Sequence, residues 1–448
     1  MSLLRRGRFL FWAARELSKK YTRSLIIGIF LGFAVMLFLW KVFPIIRVSQ
    51  LNPIRRIGYV GDYSPSNLPL DIQKKISYGL TDVGSDGKAI PALATSWEAT
   101  DSGTLYTFHL KPNVLWHNNK PVVAQNINYN INNVTFTALD ASTIQVKLPN
   151  AFSPFSVLVS KPIFMENLTG FGDYSIRTIR LKGDRITYLK LSSAQDDALP
   201  AIEYRFYRNE SQAILAYKLG EIDEVAGISE IDQSFEKWKN TTIQKTVNKN
   251  RVITLYFNVK DPILKDKQVR QMLAYAVPDL GYTRAYSPIA ATSWAYTDDI
   301  KHYDTDLKQA SKLLASTKIG TSSAELTLTT YSQYLPVAQQ LVKAWQDLGL
   351  NINIRTANTI GDPYQILLSA QDIPTDPDQY IYWHSTQMYT NISGLSNPKI
   401  DKLLEDGRIE QDQEKRKQLY VDFQRRLVDE LPALFLYYPT TYAISRIK

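Results

Sequence analysis

The chain reads as a mixed α/β protein built from more than one lobe. Its 448 residues suffice for two or three hydrophobic cores, and 44% hydrophobic with 21% charged residues is the balance of a folded globular chain. Strand-like and helix-like periods alternate along most of it. A single long apolar run, Leu25–Trp40, stands apart near the N-terminus.

That run (LIIGIFLGFAVMLFLW) has sixteen residues, and Val42, Phe43, Ile45 and Ile46 extend it while Lys41 snorkels. A spanning helix needs roughly 20 residues, so residues 24–46 are expected to form a transmembrane signal anchor. Arg5, Arg6, Arg8, Arg15, Lys19, Lys20 and Arg23 precede it, which sets a cytoplasmic tail at 1–23 and an extracytoplasmic body beyond. The competing reading, a cleaved signal peptide, lacks a small-x-small site, since VFPIIRVSQL follows the run. The expected location is the cell membrane, single-pass, with the bilayer as one partner.

In the body, Ala324–Thr330 alternates with period two and predicts a strand. Leu335, Ala338, Leu341, Val342, Trp345 and Leu348 follow at helical spacing, with Gly349 as the stop. Asn351–Thr356 alternates again, completing a strand–helix–strand unit. Glu414–Glu430 is amphipathic, with Leu419, Tyr420, Phe423, Leu427 and Val428 on one face. Pro432 ends it and Ala433–Tyr438 predicts a buried strand.

Composition excludes several functions. Of 52 Lys and Arg, eleven lie in residues 1–56 beside one acid, Glu16, leaving 41 basic and 42 acidic residues in the body. The basic excess is N-terminal, and nucleic acid is not an expected partner. The absence of cysteine removes disulfides, thiolate nucleophiles, cysteine-ligated zinc and a lipid-bearing cysteine anchor. No H-E-x-x-H, G-x-S-x-G, phosphate loop or dinucleotide fingerprint occurs, so neither an enzyme nor a cofactor is expected. A carboxylate-based hydrolase is the one catalytic alternative, because the spatial spacing of Asp and Glu is invisible in a sequence.

A series of stretches resembles the family-5 extracellular solute-binding proteins, the peptide and oligopeptide receptors of ABC importers. Gly79–Leu110 carries PALATSW and LYTFHL, and Asn113–Ile127 matches the family's W-H, K-P and A positions at Trp116, His117, Lys120, Pro121 and Ala124. Gly170–Ser175, Lys218–Val225, Leu255–Ala276, Tyr303–Leu314, Asn397–Arg408 and Lys415–Pro439 follow in the family's order. The resemblance implies a two-lobed periplasmic-binding-protein fold, class II-like and of the family-5 type. Lobe I would span 47–258, lobe II 259–431, and 432–448 would return to lobe I. The family's insertion is short here, implying a reduced third subdomain near 90–150. A peptide ligand, ABC permease subunits as partners and a monomeric state are implied as well. A binding-fold sensor, or a receptor for a nickel chelate or an oligosaccharide, is the alternative.

Candidate cleft residues come from the same resemblance: Tyr63 after the first strand, Trp294 and Tyr296 in SPIAATSWAY, and Asp372, Asp376, Tyr380, Trp383 and His384 in QDIPTDPDQYIYWHST. The last stretch is not read as a metal site, because Pro374 and Pro377 stiffen it and no glycine permits an EF-hand turn. In some peptide receptors of the family an aspartate in that segment meets the ligand's amino terminus. The spacing does not choose between Asp372 and Asp376, and Asp378 is expected to cap the following turn. Trp116, His117, Asn258 and Arg270 are assigned to the framework.

Overall fold

The structure is a computed structural model. It describes residues 54–447 except 195–198, 232–234, 236, 318, 320–324 and 358–361, together with residues 12, 21, 27, 28 and 30–38.

Two large sheets organise the body. The first has seven strands in the order β12 (Thr241–Val247), β18 (Thr440–Arg446), β11 (Glu224–Ile228), β1 (Arg55–Val60), β10 (Ile202–Tyr207), β9 (Arg185–Ser193) and β8 (Tyr174–Lys182). β1 runs parallel to β10 and β11, and the remaining pairs are antiparallel. The second sheet has five strands, in the order β15 (Asn351–Thr356), β14 (Glu325–Thr330), β16 (Ile366–Asp372), β13 (Arg251–Phe257) and β17 (Ala433–Tyr437). A short hairpin, β2 (Thr81–Val83) with β3 (Ala89–Pro91), leads into a third body. This is an antiparallel sheet of β4 (Ala94–Thr100), β5 (Leu105–Leu110), β7 (Thr143–Lys147) and β6 (Thr135–Ala138).

Helices that support lobe II and its loops include α1 (Lys267–Tyr275), α2 (Leu335–Asp347), α3 (Tyr380–Trp383), α4 (Pro398–Ile409) and α5 (Gln413–Glu430), with a further helix, Leu307–Ser316, packed on α1. The predicted strand–helix–strand unit is β14–α2–β15, its strands parallel in register from Glu325↔Asn351 to Thr330↔Thr356. α2 buries Val337, Ala338, Leu341, Val342 and Trp345, the face that the helical spacing defines. Trp345 anchors it, its Nε1 donating to the Leu273 carbonyl at 2.9 Å. Gly349, at φ +99°, takes the left-handed turn that ends the helix.

The lobe boundaries differ from the expected 258/259 and 431/432. β13 pairs with β16 from Arg251↔Asp372 to Phe257↔Ile366, and β17 pairs with β13, so both strands belong to lobe II. The chain leaves lobe I after Val247 and returns at Thr440. The two crossings run side by side, with Val247 opposite Thr440 and the Asn248 amide donating to the Pro439 carbonyl at 2.9 Å.

The third body has its own core of Tyr106, Phe108, Trp116, Ile144, Val146, Phe155 and Phe171. Trp116 meets Phe171 edge-on at 4.9 Å and His117 pairs with the Gly172 carbonyl at 2.9 Å, the framework role expected of the W-H pair. At the N-terminus, residues 27, 28 and 30–38 are helical and exposed. Among the described residues no helix is long and apolar enough to cross a membrane, and the rest of the expected 24–46 anchor lies outside them.

α5 ends in a built cap. Leu431 adopts φ +52°, and buried Arg270 donates to the carbonyls of Leu431 (2.9 Å), Glu430 (2.6 Å) and Leu264 (2.7 Å). The guanidinium serves the negative end of the helix and ties α1 to α5. Arg270→Met strands these carbonyls in the core. It is expected to lower unfolding free energy by about 3 kcal/mol, measured by urea denaturation of the purified protein.

Candidate functional site

The sheet registers determine which strand ends face the gap between the lobes. In lobe I, β18 leaves the crossing at Thr440 and β11 runs antiparallel to it, with Ile228 opposite Tyr442. The C-terminal ends of β11, β1 and β10 therefore point toward lobe II. In lobe II, β13 leaves the crossing at Arg251, directly opposite Asp372 at the end of β16. β14 and β15 run parallel to β16, so their C-terminal ends lie on the same edge. Ligands in open α/β sheets settle outside such carboxyl ends.

Asp372 and Tyr63 lie on these two edges. Tyr63 follows β1 and packs edge-on against Tyr59 at 5.6 Å and Phe206 at 5.8 Å, its Oη donating to the Val60 carbonyl. Asp372 is 77% exposed at its side chain and touches the Arg251 guanidinium at 3.5 Å. So open a pair contributes little to stability.

The other two aspartates of the loop after β16 are committed to arginines. Arg416, in the first turn of α5, grips Asp376 with two bonds of 2.8 and 2.6 Å, and its Nε donates to the Gly407 carbonyl at 2.7 Å. Both side chains are under a tenth exposed. Burial works against the Arg416 charge, but Tyr420 and Asp376 outweigh it and hold the guanidinium above its ordinary value. Arg408, in the last turn of α4, bonds Asp378 at 3.0 Å and lies 4.2 Å over the Tyr380 ring. Burial pushes the Asp378 carboxyl up, against the pull of Arg408. Asp378 also accepts from the Tyr380 amide at 3.1 Å, the expected turn cap.

The Asp376–Arg416 pair faces a cavity of about 440 Å³ between the third body and lobe II. Lys88, Trp97, Tyr106 and Ser153 line one wall, and Trp294, Asp376 and Arg416 the other. Trp294 is held there by its amide bond to the Asp86 carbonyl at 2.9 Å and by the Arg416 guanidinium 5.5 Å over its ring. Tyr380 lines a neighbouring apolar cavity with Phe152, Phe155 and Ile409.

The remaining candidates sit elsewhere. Tyr296 donates to Asp298 at 3.2 Å, and burial with Asp298 pushes its hydroxyl up to about 12. Trp383 and His384 are taken up by the packing of lobe II, where the resemblance had put them in the cleft. Trp383 lies between Tyr256 and Phe435. His384 stacks on Tyr380 at 4.1 Å and pairs with Thr386 and Glu405. Tyr380, Trp383 and His384 share one face of this short helix, and that face packs into lobe II, leaving Trp383 and His384 buried.

Sequence reading passed over Arg416 and Arg408. A signal was present for Arg416, which falls on the apolar stripe of α5 with Tyr420, Phe423 and Leu427. A charge in such a stripe requires a buried partner.

Comparison with known proteins agrees with this geometry. Residues 88–391 match the model of the bacterial extracellular solute-binding proteins, family 5 (middle). The dipeptide-binding protein of Escherichia coli is 23% identical over 85% of each chain, and the oligopeptide-binding protein AppA of Bacillus subtilis 21% identical over 86% of each. Among solved structures, the ABC transporter substrate-binding protein CtaP of Listeria monocytogenes superposes with a TM-score of 0.77. It is 22% identical, with 88% of this chain and 94% of that one covered. The nonapeptide complex of B. subtilis AppA gives 0.66 at 19% identity, over 88% of this chain and 94% of that one. At these identities the structures speak for the fold.

The two aspartates should separate on mutation. Asp376→Asn leaves a buried guanidinium without its counter-charge and is expected to lower unfolding free energy by about 3–5 kcal/mol. Asp372→Asn, at the open edge, should stay within about 0.5 kcal/mol of the parent. Parallel denaturation curves of the two variants check both values.

Proposed function

The chain belongs to the bacterial extracellular solute-binding proteins of family 5, and from that premise we propose that it captures peptides between its lobes and delivers them to the membrane subunits of an ABC importer. The relatives it matches are named as dipeptide- and oligopeptide-binding proteins. One observation carries the assignment of the site: of three aspartates at the end of β16 and in the loop after it, two are paired with arginines, the buried Arg416 and the half-buried Arg408, and Asp372 keeps an exposed carboxylate at the edge beside the crossings. In this reading Asp372 meets the peptide's ammonium group as the lobes close. The peptide main chain lies along the C-terminal strand ends, where it pairs as an added strand does. Bonds are made and released without a catalytic step.

The Leu25–Trp40 run, with its extensions, would hold the binding lobes at the membrane as a single-pass anchor in place of a lipid, with the protein acting as a monomer. Carbonate washing of membranes tests this. The full chain is expected to stay in the pellet, and release by the wash would refute the anchor.

Binding can be measured by calorimetry on the detergent-purified full chain with a di- to nonapeptide library. Saturable binding is expected, with Asp372→Asn or N-acetylation of the peptide each weakening it by about tenfold or more. Nickel–histidine chelates and oligosaccharides serve as the competing arms. Binding of either with no peptide response would overturn the assignment.

A further inference from the structure

Lobe II contains a second cavity, beside the C-terminal end of its edge strand β17 and apart from the residues around Asp372. It has a volume of about 240 Å³ and lies under the 277–286 loop, where that loop runs along the outer edge of β17. The loop is fastened there by an Arg284↔Tyr437 bridge, by the Ala285 amide on the Leu436 carbonyl (3.2 Å) and by the Tyr438 amide on the Thr283 carbonyl (2.9 Å). Every lining residue comes from 277–305 or from Leu436 and Tyr437.

The lining has three chemistries. Arg284 presents a guanidinium whose bonds go to carbonyls, Leu436 at 2.7 Å and Tyr303 at 3.3 Å, rather than to a carboxylate. Burial holds this guanidinium below its ordinary value, with Tyr286 and Asp304 offsetting part of the effect. Two of its five N–H groups go to those carbonyls, and the Tyr286 hydroxyl, which donates to Asp304 at 2.9 Å, is a further neighbour of the guanidinium. Two carboxylates, Asp279 and Asp304, are exposed on the rim. Tyrosine rings supply the walls, with Tyr282 stacked on Tyr437 at 4.2 Å and Tyr303 buried below.

A partly buried guanidinium that forms no ion pair with a carboxylate among the described residues can donate to an incoming carboxylate through its remaining N–H groups. Rim carboxylates accept an ammonium, and aromatic walls accept a ring or an aliphatic chain. At roughly 30 Å³ per water, the cavity holds about eight waters, the size of a single free amino acid and too small for an extended peptide. We propose that this cavity is a second ligand site in lobe II, taking a free zwitterionic amino acid with an apolar or aromatic side chain. Arg284 holds its carboxylate and Asp304 its ammonium. Because Tyr437 closes both this cavity and the end of β17, the occupied site braces the returning crossing between the lobes.

The test uses the full chain and L-phenylalanine, with 3-phenylpropanoate and phenethylamine as probes lacking the ammonium and the carboxylate. Calorimetry is expected to show saturable L-phenylalanine binding, weakened by about tenfold or more in each truncated probe. Arg284→Gln should weaken it comparably. Asp304→Asn, at an exposed position that leaves folding intact, should do the same. Asp372→Asn should leave it unchanged, which separates this site from the cleft. No saturable binding to the parent protein overturns the proposal. So does binding that is lost with Asp372→Asn yet kept by Asp304→Asn and Arg284→Gln.

Discussion

The two crossings between the sheets are the constraint on which the rest of the molecule depends. They lie side by side and are hydrogen-bonded, Asn248 to Pro439, with Val247 opposite Thr440. Two antiparallel segments joined in this way resist independent displacement, so the lobes are left with motion about a single narrow strip. The same strip orients both sheets. Since β12 and β18 enter it from one side and β13 and β17 from the other, every parallel strand in either lobe ends toward the gap. A cleft lined by loops and side chains, rather than by the closed faces of strands, follows from strand direction alone.

The acidic loop shows how burial selects function among chemically identical groups. Asp376 and Asp378 sit where desolvation would be expensive, and arginines reach them from separate helices, Arg416 from α5 and Arg408 from α4. The loop is thereby pinned at both positions, and its aspartates become scaffold. Asp372 lies one strand position from the same loop but beside the crossings, where solvent keeps its charge available. A carboxylate held by an open arginine at 3.5 Å can exchange that partner for another cation at small cost. A pinned carboxylate cannot.

How far the sequence could be read depends on the range of each signal. The β14–α2–β15 unit and the α5–β17 sequence emerged within a residue or two of expectation, because their periods of two and 3.6 are local. The family order of motifs carried the two-lobed fold. The lobe boundaries shifted because a strand such as Arg251–Phe257 has the same pattern whichever sheet it joins, and only its partner β16, over a hundred residues later, decides. The pairing of Asp376 with Arg416, forty positions apart, was hidden for the same reason. The resemblance puts Trp383 and His384 in the cleft, whereas the face of α3 that carries them packs against Tyr256, Phe435 and Glu405 inside lobe II, contacts made by residues far away in sequence.

The third body adds a final element to closure. Its chain departs from lobe I after β1 and rejoins it at β8, with the Gly172 amide bonded to the Ile76 carbonyl at 2.8 Å, so it is tied to lobe I at both ends. Yet it also reaches lobe II. The Ser153 amide donates to the Arg408 carbonyl at 2.8 Å, the Trp294 amide to the Asp86 carbonyl at 2.9 Å, and Tyr106 meets Gln411 at 3.3 Å. Any rotation that parts the lobes about the crossings has to break these bonds. Each contributes on the order of 1 kcal/mol net, so together they hold the third body against lobe II by a few kcal/mol. A ligand shifts any equilibrium between arrangements of the lobes only by its difference in affinity for them. The contacts lie at the flank of the gap and leave the exposed edge at Asp372 uncovered.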